Sequence, residues 1–283
     1  MSSGNIISER QLHERIIYLV QRERRRILPG SSNEEIAKEF GLRLRVDTLP
    51  IGKEGAYIES DAKIILNCGI TSVERLQFTF YHELVHHLIR EDDDLYSDLN
   101  ETYVSDADFD KAIEKFCNIG AAELILPRDI VRSSITNNGF SINLVPQLCL
   151  AHRVSGPAAL IQLVQYAPDR CFGVVCEHGL SPIMERQNQK VFFHLTQAES
   201  LYILYAMVSP GQKYSLARWT VISKNHLLAM AYETKNYAEG IDRIPFRSRK
   251  EWLAQCQALF FRGNVYGLFI IESPPSNQQL LLL

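Results

Sequence analysis

Apolar residues recur three and four positions apart between residues 8 and 27, at Ile16, Ile17, Leu19, Val20 and Ile27, with Arg and Glu between them. That spacing draws one apolar stripe down a helix. Pro29-Gly30-Ser31-Ser32 ends it, Asn33 is placed to cap a short second helix over 34–40, and Gly41 stops that one. Short extended runs at 42–46, 56–59 and 63–67 are punctuated by Gly and Asp, as in a small sheet. A long helix then starts after Thr71-Ser72 and runs to about residue 90, with Glu74 near its positive end. Residues 91–108 are acidic and poor in apolar side chains, which predicts a loop. Another helix spans 109–126 and stops before Pro127, the first domain boundary.

The pattern between 128 and 168 is one of short helices. Residues 142–152 and 158–166 form two of them around Val154-Ser155-Gly156-Pro157, which reads as a helix-turn-helix. The texture changes after Pro168. Runs at 172–176, 191–195, 214–221 and 265–271 are rich in Val, Ile, Phe and Tyr and predict strands. Residues 198–208 and 249–258 predict helices between them, and 274–283 a loose tail or docking segment. The reading is therefore α+β in three parts, 1–127, 128–168 and 169–283.

Composition narrows the class. The 283 residues are 46% hydrophobic and 22% charged, a globular balance rather than a disordered one. No apolar run reaches the ~18 residues of a membrane-spanning helix, and the N-terminus lacks the apolar core of a secretory signal. A net charge of -3 argues against general nucleic-acid binding. The six cysteines include no CxxC pair, so a zinc ribbon is not expected and the thiols read as small core residues of a cytoplasmic chain.

The chemistry concentrates in Phe80-Tyr81-His82-Glu83-Leu84-Val85-His86-His87-Leu88-Ile89, which contains HExxH. Residues four apart share a helix face, so His82 and His86 can reach one metal ion, with Glu83 beside it as a general base. The rest of this helix is apolar (Leu76, Phe80, Val85, Leu88 and others). Two imidazoles and a carboxylate buried there without a partner would be expensive, and a metal satisfies them. A catalytic zinc takes a third protein ligand and leaves one position open. Asp92 follows the motif, but Ile89 occupies the place where one extended motif needs Gly to turn the chain, which disfavours Asp92. Glu114, on the next helix, shares a face with Asn118 and Ala121, and the small run Gly120-Ala121-Ala122 allows close helix approach. Spacing alone leaves Glu114 open between ligand and ordinary solvated carboxylate. Tyr103, between the two helices, is a candidate oxyanion stabiliser.

HELVHHLI followed by IEKFCNIGAAELILP resembles the ImmA/IrrE family of metallopeptidases, a match carried by residues 72–127. The resemblance implies a zincin-like N-terminal domain of the gluzincin type, with His82, His86 and Glu114 as metal ligands and Glu83 as catalytic base. It implies Zn²⁺, and the same ligands accept Mn²⁺ or Fe²⁺. The three-part arrangement resembles the members found in radiation-resistant bacteria. That implies a GAF-like C-terminal domain and cleavage of a DdrO-type helix-turn-helix repressor to induce the radiation and desiccation DNA-damage response.

Other features bear on the alternatives. The second helix of the helix-turn-helix carries no charged residue, and only Gln162 and Gln165 could reach DNA, so direct DNA binding is not expected. The aromatics Phe172, Phe192, Phe193, Trp219, Tyr232, Tyr266 and Phe269 suit a core more than a small-ligand pocket in the GAF-like part. His178, His194 and His226 are isolated. A non-catalytic anti-repressor is the main competitor to a peptidase. It has no use for Glu83, whose presence favours catalysis.

Overall fold

The computed structural model describes residues 7–180, 199–248 and 251–271. The chain divides into two compact units, residues 1–127 with 152–154, and residues 128–151 with 155–283. No helix among the described residues is long and apolar enough to cross a membrane.

The first unit begins with α1 (Glu9–Arg24), which buries Leu12, Ile16, Ile17, Leu19 and Val20. Helix α2 (Asn33–Glu39) is capped by Ser32 rather than Asn33. The Ser32 hydroxyl accepts the Glu35 amide at 3.2 Å, and the Ser32 amide donates back to the Glu35 carboxylate at 2.8 Å. Strands β1 (Arg43–Asp47), β2 (Gly55–Ile58) and β3 (Lys63–Asn67) form a sheet in the order β1-β3-β2. β1 runs parallel to β3 and β2 antiparallel to it, which leaves β2 at an edge. The motif-bearing helix α3 (Val73–Glu91) starts on the Ser72 cap.

The acidic stretch expected as a loop contains a helix, α4 (Asp93–Thr102). Asp92 caps it by accepting the Leu95 amide at 3.1 Å, Asp93 and Asp94 favour its first turn, and Leu95 and Leu99 bury one face. Two leucines at i, i+4 were too sparse a stripe to read. Helix α5 (Asp106–Ile125) is capped by Ser105 and starts three residues earlier than its apolar pattern.

The second unit contains α6 (Arg128–Asn138), α7 (Leu144–His152) and α8 (Gly156–Gln165). An antiparallel five-stranded sheet follows, ordered β5-β4-β8-β7-β6. Its members are β4 (Arg170–Gly179), β5 (Ser200–Val208), β6 (Tyr237–Arg243), β7 (Leu253–Phe261) and β8 (Asn264–Ile271), with α9 (Leu227–Thr234) before β6. Alternation sorts the helices onto opposite faces. A Cβ on Gly173 would meet Val164 of α8 at 2.7 Å, and one on Gly267 would meet Leu228 of α9 at 2.5 Å. Val174, paired with Gly267, shares its α9 face, and Tyr266 shares the α8 face with Gly173, where it meets Gly156.

Several sequence expectations change here. Residues 198–208 and 249–258 were expected to be helical, and the described parts of both are strand, in β5 and β7. Ala, Leu, Met and Gln favour helix locally, but Ala254, Cys256 and Ala258 are buried at period two, and pairing with the neighbouring strands overrides propensity. The strand expected at 214–221 reduces to a single bridge from Val221 to Tyr202, with Trp219 in a left-handed turn at φ 65°. Helix α9 and β6 were not anticipated. The expected strand at 191–195, with Phe192, Phe193 and His194, and the tail at 274–283 lie outside the described residues. Phe172, Tyr266 and Phe269 are core, and His226 is the buried N-cap of α9. In α8, Gln162 is buried, so one of its two polar candidates for DNA contact faces inward. All six cysteines are free.

Candidate metal centre

The geometry of α3 brings the motif together, and α5 completes it. His82 Nε2 and His86 Nε2 lie 3.2 Å apart. Glu114, on α5, places one carboxylate oxygen 3.2 Å from His82 Nε2 and the other 3.4 Å from His86 Nε2. Two imidazole nitrogens and a carboxylate therefore converge on one point. The approach of α5 to α3 depends on Gly120, where a Cβ would stand 2.8 Å from Val85 Cγ1.

Glu83 is buried, and its side chain is clamped between α3 and β2. A Cβ on Gly55 would lie 2.7 Å from both Glu83 Oε1 and Thr79 Cγ2, so only glycine lets the strand pass this close. Burial pushes the Glu83 carboxyl up to about 7, helped by the Glu114 charge and opposed by the Tyr57 amide, which donates to it, and by Lys53. Burial also lowers the His86 imidazole well below its ordinary range, reinforced by His82 and opposed by Glu114. A neutral imidazole is the form that ligates metal. His82 Nδ1 is buried with no hydrogen-bond partner among the described residues. Nothing behind the ring fixes its tautomer, whereas a metal on Nε2 would.

These groups line a cleft of about 580 Å³, bordered by Gly52 to Ile58 of the β2 region, by Arg75, Phe78 and Thr79 of α3, and by Asn118 of α5. The donor set suits a divalent transition metal.

Other candidates fall elsewhere. Asp92 caps α4 and is occupied there. Tyr103 lines a separate depression with Glu9, Ser105 and Lys115, so it is not an oxyanion stabiliser for this cleft. His87, beside the motif, turns its Nδ1 to the Tyr57 hydroxyl at 3.1 Å. Gly55 and Tyr57 were missed, since nothing in a four-residue strand marks it as the wall of a site. Cys117 was read only as core, yet its thiol joins His82 and His86 in a group whose ligand atoms lie within 4.8 Å of one another.

A histidine pair one helical turn apart, a buried carboxylate beside it, a second carboxylate from a following helix and an edge strand along the cleft define a metallopeptidase-type centre. No family model matches the chain. The chain is 30% identical over 226 residues to the radiation response metalloprotease IrrE of Deinococcus deserti, covering 80% of this chain and 77% of that one. It is 27% identical over 239 residues to the protein of the same name from Deinococcus radiodurans, covering 84% and 72%. The chain belongs to the IrrE family of radiation response metalloproteases. A Mycobacterium tuberculosis transcriptional regulator shares the fold at a TM-score of 0.54 and 11% identity, over 94% of this chain and 77% of that one.

Proposed function

We propose that the chain is a site-specific zinc endopeptidase of the gluzincin type that cleaves a DdrO-type helix-turn-helix repressor in the cytoplasm, releasing DNA-damage response genes. The observation that carries this is the buried Glu83 carboxylate beside the His82–His86–Glu114 convergence. A non-catalytic scaffold has no reason to retain a desolvated charge there.

His82, His86 and Glu114 would hold the ion, Zn²⁺ first and Mn²⁺ or Fe²⁺ as substitutes. When bound, it would supply Lewis acidity toward a peptide carbonyl and toward water. The chain's own residues do the remainder. Glu83, held by the Tyr57 amide, accepts a proton from the attacking water and returns it to the leaving amine. The outer edge of β2 runs along the cleft and, beyond the Tyr57 amide that Glu83 takes up, can pair with an extended peptide, presenting its backbone to the histidines. Helices α6–α8 are read as a protein-docking unit, and the five-stranded sheet with its helices as a GAF-like part able to take a small ligand.

The test is direct. The zinc-loaded chain is incubated with the DdrO-type repressor of the same organism and intact masses are read, beside Glu83→Gln. One discrete cut that disappears in the variant is expected. A repressor that binds both proteins and stays whole would establish an anti-repressor instead.

A further inference from the structure

His87 stands next to the second histidine of the motif and is not one of the converging ligands. Thr79, Glu83 and His87 follow one another at four-residue spacing, so they fall along one stripe of α3. That stripe meets β2. Gly55 passes so close that a Cβ there would stand 2.7 Å from both Thr79 Cγ2 and Glu83 Oε1. Two residues on, Tyr57 spans the next turn of the helix. Its amide donates to the Glu83 carboxylate, and its hydroxyl lies 3.1 Å from His87 Nδ1. The two rings meet edge to face with centroids 5.5 Å apart. The His87 ring also hydrogen-bonds the Phe40 carbonyl, where α2 ends. Tyr57 is therefore tied to α3 at two points, by its main chain and by the tip of its side chain.

We propose that His87 and Tyr57 are positioning residues for the catalytic base: the hydroxyl–imidazole bond fixes the Tyr57 main chain, and the Tyr57 amide in turn fixes the Glu83 carboxylate. The inference rests on the metallopeptidase reading and deepens it, since it gives a task to the histidine that the ligand set leaves over. β2 is four residues long and pairs with β3 on one side only. A short edge strand with few ladder bonds opens locally with ease unless its other side is held. An apolar contact would also hold it, but a hydrogen bond has direction and sets where the amide points. That matters because a displacement of about 1 Å in a catalytic group costs on the order of 100-fold in rate.

Tyr57→Phe tests this, because it removes the hydroxyl and keeps both the ring and the amide. In the zinc-loaded chain it should lower kcat for cleavage of the repressor by about 10- to 100-fold, with KM and zinc affinity unchanged. His87→Leu should do the same, and His87→Asn, which keeps an acceptor near the place of Nδ1, should recover much of the loss. Both substitutions break one bond, so Tyr57→Phe with His87→Leu should be no slower than either alone. In the metal-free chain the backbone amide at position 57 should exchange faster in both single variants, while the β3 amides opposite it keep their protection. A folded, zinc-binding Tyr57→Phe chain with the parent's kcat, or with its whole loss in KM, overturns the positioning role and leaves the metallopeptidase reading intact. A parent chain that leaves the repressor whole overturns both.

Discussion

The proposed mechanism asks Glu83 to be a base in a place that disfavours its charge, and that conflict is measurable. Its carboxyl rises from 4.5 to about 7 in the folded, metal-free chain, mainly through burial. Each pKa unit is worth about 1.4 kcal/mol, so the ionised form costs the fold up to about 3 kcal/mol. Between pH 4.5 and 7 the folded chain keeps a proton that the unfolded chain has lost, so this group makes stability fall as pH rises through that window. Above it the full penalty is present. Glu83→Gln keeps the shape, keeps an oxygen for the Tyr57 amide and removes the charge. In chelator, the variant should match the parent near pH 4.5 and exceed it by up to about 3 kcal/mol at pH 8. Trp219 and Trp252 both lie in the second unit, so tryptophan fluorescence would miss the effect. Hydrogen exchange at the amides of α3 and α5 reads it. Equal protection in parent and variant from pH 5 to pH 8, or a weaker variant at pH 8, refutes the argument that Glu83 is charged at the fold's expense.

Other consequences follow from the same geometry. Gly55→Ala forces a methyl to 2.7 Å from Glu83 Oε1 and should destabilise the first unit by ~1–3 kcal/mol, with loss of peptidase activity beyond what unfolding explains, read by denaturation beside repressor cleavage. Gly120→Ala sets a methyl 2.8 Å from Val85 Cγ1, so α5 should move off α3, and zinc affinity measured by competition with a chromogenic chelator should fall with stability. Glu114→Ala removes the carboxylate 3.2 Å from His82 Nε2 and should weaken zinc by at least about tenfold while leaving far-ultraviolet circular dichroism unchanged, since the side chain is mostly exposed.

The candidate metal centre was legible because it is local. His82, Glu83 and His86 sit on one helix, and helical geometry alone fixes their relation. Glu114 was less so, since spacing permits it without choosing it, and only the small residues around Gly120 hinted that α5 comes close enough. Gly55 carries no such signal. Its importance arises from a strand packed across a helix 24 or more residues away in sequence, a contact no periodicity encodes.

The second unit shows the opposite balance. Its strands β5 and β7 contain Leu, Ala, Met and Gln at positions where local preference points to helix. Their conformation is decided by the strands they pair with, β4 for one and the neighbouring strands β6 and β8 for the other. A sheet ladder pairs backbone groups along the whole strand, on both sides of β7 and on one side of the edge strand β5, which outweighs propensities of a few tenths of a kcal/mol per residue. In α8 the balance is local again: Ala159, Leu160, Leu163 and Val164 are buried with Gln162, and Gln165 alone of its two glutamines stays partly exposed, so the apolar stripe read in the sequence is the face the fold uses.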